Sequence, residues 1–281
     1  MILIDYNGIA ISNIVTQKLV IEEDMIRHMI LNSIRGHVAK FKQRYGTRDV
    51  IICGDGQRNW RYDAFPQYKA KRKTTRDDSK LDWDEVFRIT NMVFDELRDH
   101  FPYKVIKIAE CEADDIIANL AHHTQEFGNH DLVMIISGDK DFVQLQKFSN
   151  VEQYSPVQRK FVKTDNPRKQ LFELILKGDT SDGVPNVLSP DNAFTDGIRQ
   201  TPLRQPVIDK LIDDPKSMGE AVYRNYLRNK KLIDLTETPD HLKQEIINKF
   251  HEDPIGKKGD VLPYLISKKC RRLVECVGDF V

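Results

Sequence analysis

Short apolar runs alternating with helix-length amphipathic stretches predict an α/β protein: a mostly parallel central sheet with helices on both faces, followed by a helical carboxyl-terminal region. Three observations carry this. The runs at Met1–Ile4, Val50–Cys53, Tyr103–Ile108 and Leu132–Ile136 have the length and β-branched content of buried strands. Helical periodicity fills the gaps between them, and the strand signal stops after about Leu171. Aspartates stand immediately after several of the runs, where open α/β sheets place their ligand sites.

Taken in order, Met1–Ile4 ends at Asp5, and residues 9–21 read as an irregular apolar connection. From Glu22 to Tyr45, Ile26, Ile30, Ile34, Val38 and Phe41 recur at helical spacing, and Gly46 closes the helix. Val50–Cys53 leads into Gly54-Asp55-Gly56, and residues 57–80 show no periodicity. Asp82 caps a helix to His100 that buries Val86, Ile89, Val93 and Leu97. After the third strand, Cys111-Glu112 opens the helix EADDIIANLAHH, with His122 and His123 as an exposed pair. Leu132–Ile136 ends in Ser137-Gly138, and a short helix follows Asp141. Val151–Tyr154 and Lys160–Val162 form a further strand pair, and helices are expected over 171–178, 205–213, 218–232 and 239–251.

A chain of 281 residues, 40% hydrophobic and 31% charged, is a soluble globular protein by composition. No apolar run approaches the ~20 residues of a membrane span. MILIDYNG enters a strand with no basic region or cleavage site before it, so the expected setting is the cytoplasm. Cys53, Cys111, Cys270 and Cys276 show no zinc spacing and read as reduced thiols. Net charge is zero, yet the charges are partitioned. Residues 56–80 hold the basic side chains Arg58, Arg61, Lys69, Lys71, Arg72, Lys73, Arg76 and Lys80 against Asp63, Asp77 and Asp78. The carboxyl end holds Lys257, Lys258, Lys268, Lys269, Arg271 and Arg272. Separated basic and acidic patches fit a polyanion binder with a metal site.

In a parallel sheet the ends that carry Asp5, Asp55 and Asp139 lie on one edge, so carboxylates distant in sequence converge. Glu112 and Asp115, at i and i+3, share a helix face, and Asp114 flanks them. Asp141 follows Asp139, and Gly178-Asp179-Thr180-Ser181-Asp182-Gly183 adds two carboxylates. Each alone reads as a cap or turn residue; together they read as a site. Hard oxygen donors without His or Cys select Mg²⁺, with Mn²⁺ able to substitute. Their number exceeds the needs of one octahedral ion, which points to two ions and metal-dependent phosphodiester hydrolysis. Over residues 57–80 the basic residues Arg58, Arg61, Lys69, Lys71, Arg72 and Lys73 are interleaved with Trp60, Tyr62, Phe65 and Tyr68. That pattern supplies phosphate contacts and stacking faces for nucleic acid.

Together Asp5 in LIDYNG, Gly54-Asp55-Gly56, FPQYKAKR, EADD, SGDKDF and GDTSDGVPN resemble the structure-specific 5′ nucleases, or flap endonucleases, in the family's order and over roughly two thirds of the chain. RHMILNSI, YSPVQRKFVK and ILKGD are similar to the family's bacteriophage ribonuclease H branch. The resemblance implies a PIN-like catalytic domain over 1–183, with 56–80 as a basic arch, and a helical DNA-binding region over 184–281 containing a helix-turn-helix from near Gly183. It implies a first metal site from Asp5, Asp55, Asp115 and Asp139, with Glu112 and Asp114 beside it. A second would come from Asp141, Asp179 and Asp182. Lys69 and Arg72 would contact the scissile phosphate, and Tyr68 would stack on a terminal base. The implied activity is 5′→3′ exonuclease, flap endonuclease and ribonuclease H, removing RNA primers during DNA replication by a monomer. Implied partners are RNA–DNA hybrid, flap or nicked duplex DNA, and a single-strand DNA-binding protein at the carboxyl-terminal region. The family's glycine-rich turn is replaced by Asn186-Val187-Leu188-Ser189-Pro190, so no potassium site is assigned.

Three alternatives frame this reading. A haloacid-dehalogenase-type phosphatase needs a second Asp where Asn7 stands. A PIN-type endoribonuclease would lack the basic insertion and the helical region. A non-catalytic branched-DNA-binding protein would show gaps in the acidic set, which is complete here.

Overall fold

The computed structural model describes residues 1–17, 21–45 and 49–281. Its strands are β1 (Ile2–Asp5), β2 (Val50–Gly54), β3 (Lys104–Lys107), β4 (Val133–Ile136), β5 (Val151–Ser155) and β6 (Lys160–Val162). They form one sheet in the order β3-β2-β1-β4-β5-β6. All neighbours are parallel except the β5–β6 pair. The chain winds outward from β1 to β3, then crosses back to place β4 on the other flank of β1. The switch point therefore lies between β1 and β4, where a crevice opens at the strands' carboxyl ends. Asp5 ends β1, and Asp55 and Asp139 follow β2 and β4 on that same edge.

The central strands β1, β2 and β4 are buried along their whole length because both faces are covered, whereas β3, β5 and β6 carry polar side chains. Ile2, Ile4, Ile52, Met134 and Ile136 face one core, and Leu3, Ile51, Cys53, Val133 and Ile135 face the other. Helices α1 (Tyr6–Gln17), α2 (Glu23–Tyr45) and α5 (Trp83–His100) cover the first face. Helix α6 (Ala113–His123) covers the second. Between β2 and α5 lie two short helices, α3 (Arg61–Ala64) and α4 (Lys71–Asp77). As expected, Asp82 caps α5 by accepting from the Glu85 N–H at 3.1 Å. Gly46 lies outside the described residues.

Three local expectations are corrected. The connection expected over 9–21 is helical from Tyr6; α1 buries Ile9, Ala10 and Ile14 and has too little polar face to show a helical period. Helix α7 (Pro167–Lys177) starts before residue 171, because the Asn166 side chain accepts from the Lys169 N–H at 2.9 Å and Pro167 suits the first turn. His122 and His123 are packed edge-on against Phe148 and Phe250 rather than exposed, and burial lowers His122 to about 4.

The carboxyl-terminal region divides in two. Helices α8 (Gln205–Asp213) and α9 (Glu220–Ile233) pack with α7 around Leu176, Val187, Ile208 and Leu211. The chain then returns to the sheet. Helix α10 (Asp240–His251) adds Leu242, Ile246 and Phe250 to the core under α6. Helices α11 (Val261–Ser267) and α12 (Arg271–Val274), with Phe280, join the opposite core.

Two buried polar junctions hold these layers. Arg27 on α2, 1% exposed, donates to Glu96 on α5 at 2.9 Å, and Glu96 also accepts from Tyr264 on α11 at 2.8 Å. Lys268 closes the junction at 2.7 Å from Glu96. The other joins Arg61 to Asp115, with Nη1 and Nη2 at 2.8 and 2.9 Å from the two carboxylate oxygens. Arg61 also donates to the Leu232 carbonyl at 2.8 Å, and Thr238 donates to Asp115 at 2.8 Å. Arg61 and Asp115 are 2% and 0% exposed. This corrects two expectations: Arg61 is not a nucleic-acid contact, and Asp115 does not face the strand ends. The i, i+3 spacing of Glu112 and Asp115 is a capping box. The Asp115 carboxylate accepts from the Glu112 N–H at 3.0 Å, which turns it inward.

Replacing Arg61 with Met strands a buried carboxylate and should cost about 3–5 kcal/mol in denaturant unfolding. Adding Asp115→Leu should recover much of that; a single-variant loss below about 1 kcal/mol would remove the pair from this role. Burial pushes Glu96 up, but hydrogen bonds from Arg27, Lys268 and Tyr264 more than offset it and hold Glu96 below the usual carboxylate range. A depressed carboxylate contributes stability that is present above its unfolded value and lost as pH falls through its folded value. Glu96→Gln should therefore destabilise the fold near neutrality, with the deficit shrinking below about pH 4.3 in pH-dependent thermal unfolding.

Candidate metal and nucleic-acid site

Asp5 is held by the Gly8 N–H and the Ser137 hydroxyl, each at 2.8 Å. A Cβ on Gly8 would overlap the Asp5 carboxylate, so this tight turn from β1 into α1 needs glycine. Burial, then the neighbouring Asp55 and Asp139, raise Asp5 to about 6 despite these hydrogen bonds. Asp55 accepts from Asn7 Nδ2 at 2.6 Å and from the Ala113 N–H at 2.9 Å, which ties the end of β2 to the first turn of α6. Asp139 caps a 3₁₀ segment, Lys140–Lys147, by accepting from the Asp141 N–H at 2.9 Å.

Around these, burial and like charge act together. Asp114, at the second position of α6, is raised well above the usual range by burial and then by Asp139 and Asp5. Its place beside those two is the one the sequence reading gave to Asp115. Asp139 is raised by burial and then by Asp182 and Asp179, and Asp141 more strongly by burial and then Asp139 and Asp179. Asp141 Oδ1 is buried without a hydrogen-bond partner. Burial pushes Asp179 up, but Lys140 at 2.9 Å and the Ser181 hydroxyl at 2.6 Å hold it below the usual range.

The base of the basic segment closes this edge. Phe65 and Tyr68 pack with Ile175, Val184, Leu232 and Ile233. The Tyr68 hydroxyl lies 2.9 Å from both Glu112 and Asp182 and donates to one at a time. At 3% exposure its ring is not presented for stacking on a base, contrary to expectation, because its hydroxyl is drawn into the acidic cluster. Lys69 Nζ pairs with Glu112 and lies 3.6 Å from Asp182, and Arg72 Nη2 lies 2.6 Å from Asp182. Burial pushes Glu112 up, yet Lys69 and Arg61 hold it below the usual range. Lys71 is exposed beside the Phe194 ring, and Arg58 is exposed and paired with Asp63. The Lys73 side chain lies outside what is described.

A narrow cleft opens here, lined by Arg61, Tyr68, Glu112, Asp114, Asp141, Asp179 and Asp182, with Val184 and Leu232 beside them. The structure thus gathers Asp5, Asp55, Asp114, Asp139, Asp141, Asp179, Asp182 and Glu112 on one edge and diverts Asp115. Among the described residues, no three of them close into a ready-made coordination sphere. Lys69, Arg72 and Lys140 stand among them instead. Sequence reasoning missed Asn7, Ser137 and Lys140. All three lie inside the motifs DYNG and SGDKD, so a search for orienting donors beside each Asp would have found them.

The helix-turn-helix expected from near Gly183 does not begin there, because residues 184–204 contain no helix and consist of a bridge at Val184, turns and irregular backbone. Asn225 holds them through the Val187 and Ser189 carbonyls at 2.9 and 3.1 Å, and Asn229 through the Pro185 carbonyl at 2.9 Å.

Comparison with known proteins matches two family models in tandem. Residues 2–171 match the 5′-3′ exonuclease amino-terminal resolvase-like domain, and residues 166–280 the T4 RNase H carboxyl-terminal domain. The chain is 32% identical to Ribonuclease H of Enterobacteria phage T4, over 99% of this chain and 95% of that protein. It is 28% identical to a 5′-3′ exonuclease of Buchnera aphidicola over 52% of this chain and 50% of that protein. Among solved structures, the bacteriophage T5 D15 flap endonuclease in a pseudo-enzyme-product complex with DNA and metal ions has TM-score 0.60 at 15% identity, covering 95% of this chain and 98% of that one. T5 D15 protein co-crystallized with metal ions has TM-score 0.59 at 16% identity, covering 88% and 98%. At those identities the likeness is one of fold. The chain belongs to the 5′-3′ exonuclease family, in the branch with a T4 RNase H-type carboxyl-terminal domain, and it is a nuclease.

Proposed function

We propose that this nuclease is a Mg²⁺-dependent 5′→3′ exonuclease and flap endonuclease with ribonuclease H activity, which removes RNA primers from lagging-strand fragments during replication. The observation that carries it is the acidic edge: buried carboxylates raised by one another, with Asp141 Oδ1 left without a partner. Such a cluster is stabilised by cations. The donor set is all oxygen, which suits Mg²⁺ or Mn²⁺. Asp5, Asp55, Asp114 and Asp139, with Glu112, would hold one ion, and Asp141, Asp179 and Asp182 a second. Divalent ions there supply charge neutralisation at the phosphodiester and an activated water.

The chain's own residues do the rest. Asn7 and the first turn of α6 fix Asp55, and Ser137 and Gly8 fix Asp5, so the carboxylates are oriented before substrate arrives. Lys69 and Arg72, held here on Glu112 and Asp182, would carry their cationic groups to a scissile phosphate once freed from those carboxylates. Lys71, Lys73 and Arg58 offer further phosphate contacts along the strand. Its substrates would be RNA–DNA hybrid and flap or nicked duplex DNA. The protein would act as a monomer in the host cytoplasm, with its basic carboxyl end available to a single-strand DNA-binding protein. No helix among the described residues is long and apolar enough to cross a membrane.

Asp139→Asn should still bind branched DNA in a mobility-shift assay but lose Mg²⁺-dependent cleavage; normal turnover would sink the metal assignment. Lys69→Ala should slow cleavage on the order of 10²-fold with the fold intact by circular dichroism. Incubation with a 5′-labelled RNA–DNA hybrid and a flap substrate, with and without Mg²⁺, should release short 5′-phosphorylated products from both only when Mg²⁺ is present. Cleavage of single-stranded RNA alone would favour the endoribonuclease alternative.

A further inference from the structure

Two of the three cations at the acidic edge, Lys69 and Arg72, come from the segment through which the nucleic acid is expected to pass, and they occupy the metal-facing carboxylates Glu112 and Asp182. Lys69 pairs with Glu112, Arg72 lies 2.6 Å from Asp182, and the Tyr68 hydroxyl reaches both carboxylates at 2.9 Å. The contact extends to the backbone. The Lys69 N–H donates to the Asp182 carbonyl at 2.8 Å, and a Cβ on Gly183 would lie 3.1 Å from the Gln67 carbonyl. Lys69 adopts φ 56°, a left-handed conformation uncommon in a residue with a side chain. That conformation directs its N–H to one element of the edge while its ammonium reaches another, so the surroundings hold it there. Beyond this base the segment is open: Lys71, Arg72, Thr74 and Thr75 are exposed.

We infer that residues 68–72 form a latch in which Lys69 and Arg72 stand in for divalent cations on Glu112 and Asp182, so that metal loading and release of the basic segment are coupled. The inference rests on the reading of Glu112 and Asp182 as metal-facing carboxylates. A carboxylate oxygen bonded to an ammonium or guanidinium is not free for a divalent ion, so the two ligands compete. Thermodynamic linkage makes the coupling reciprocal: metal favours the released segment, and anything that releases the segment favours metal. Release frees Lys69 and Arg72 for phosphate, so the same exchange delivers the ion to its carboxylates and the cationic side chains to the substrate.

The consequence runs against the usual expectation for catalytic lysine and arginine residues. Lys69→Ala and Arg72→Ala, although impaired in cleavage, should bind Mn²⁺ at least about fivefold more tightly than the wild-type full chain. Titration calorimetry with MnCl₂ alone, without nucleic acid, reads this directly. Arg72 is largely at the surface, its side chain 46% exposed, so its replacement tests the latch even if Lys69→Ala folds poorly. Asp182→Asn should weaken Mn²⁺ binding. In a parallel experiment, MnCl₂ should accelerate tryptic cleavage within residues 69–80 of the wild-type chain and have little effect on that rate in Arg72→Ala. Loss of Mn²⁺ affinity in Asp182→Asn with no gain in either basic variant overturns the latch alone. Undiminished affinity in Asp182→Asn overturns the metal reading and the latch with it. Slower tryptic cleavage in the presence of MnCl₂ also overturns the latch.

Discussion

The repulsion among carboxylates crowded at one edge of the sheet is the constraint to which the rest of the structure answers. Asp5, Asp114, Asp139 and Asp141 each stand above the usual carboxylate range, because burial and one another's charge disfavour ionisation. A cluster of this kind persists only if the backbone that carries it is fixed independently. The sheet does this: β1, β2 and β4, which lead to Asp5, Asp55 and Asp139, are sandwiched between two apolar cores, so their ends are not free to relax away from one another. The charges are then met from the rim, by Lys140 on Asp179 and by Lys69 and Arg72 on Glu112 and Asp182.

The buried ion pairs play a different part. Arg61 and Asp115 satisfy one another bidentately, and Arg61 also reaches the Leu232 carbonyl at the end of α9. This seats the root of the basic segment against both α6 and the helical unit. Glu96 similarly gathers Arg27, Tyr264 and Lys268 from α2, α11 and the residue after it. The Glu96 junction serves geometry alone, whereas Arg61 also lines the cleft and stands 3.6 Å from Glu112, so it joins the packing of the helices to the electrostatics of the site.

Much of this was legible in the sequence. The strands, α2, α5, α6 and the pairing of apolar runs with terminal aspartates follow from continuous apolar runs and the 3.6-residue helical period, which are local properties. Helix α1 was missed because it starts directly from a strand and is apolar on most sides. Asp115 was misplaced because neighbouring aspartates at the start of a helix look equivalent in sequence. Only the capping geometry at Glu112 decides that Asp114 faces the strand ends while Asp115 turns to Arg61. Tyr68 was read as a stacking surface because a tyrosine in a basic run carries no sign of which end of its side chain will be buried. The relatives also made the family clear from motif order, while the departure at Asn186–Pro190 acquired a physical meaning only when Asn225 and Asn229 were seen to hold that turn.

The return of the last segments to the sheet has a consequence for how the chain reaches its native state. Phe280 and Leu273 belong to the same core as Ile2 and Ile4, and Arg35 pairs with Asp279 across 244 positions, so most of the polypeptide separates residues that meet. Contacts of such separation are slow to form because a very long loop must close before they contribute. During synthesis the first strands leave the ribosome long before their carboxyl-terminal covering exists, with one apolar face incompletely shielded. Maturation of this nuclease is therefore tied to completion of its chain, and a nascent fragment carrying every acidic residue of the cleft would still lack part of the core that holds them in place.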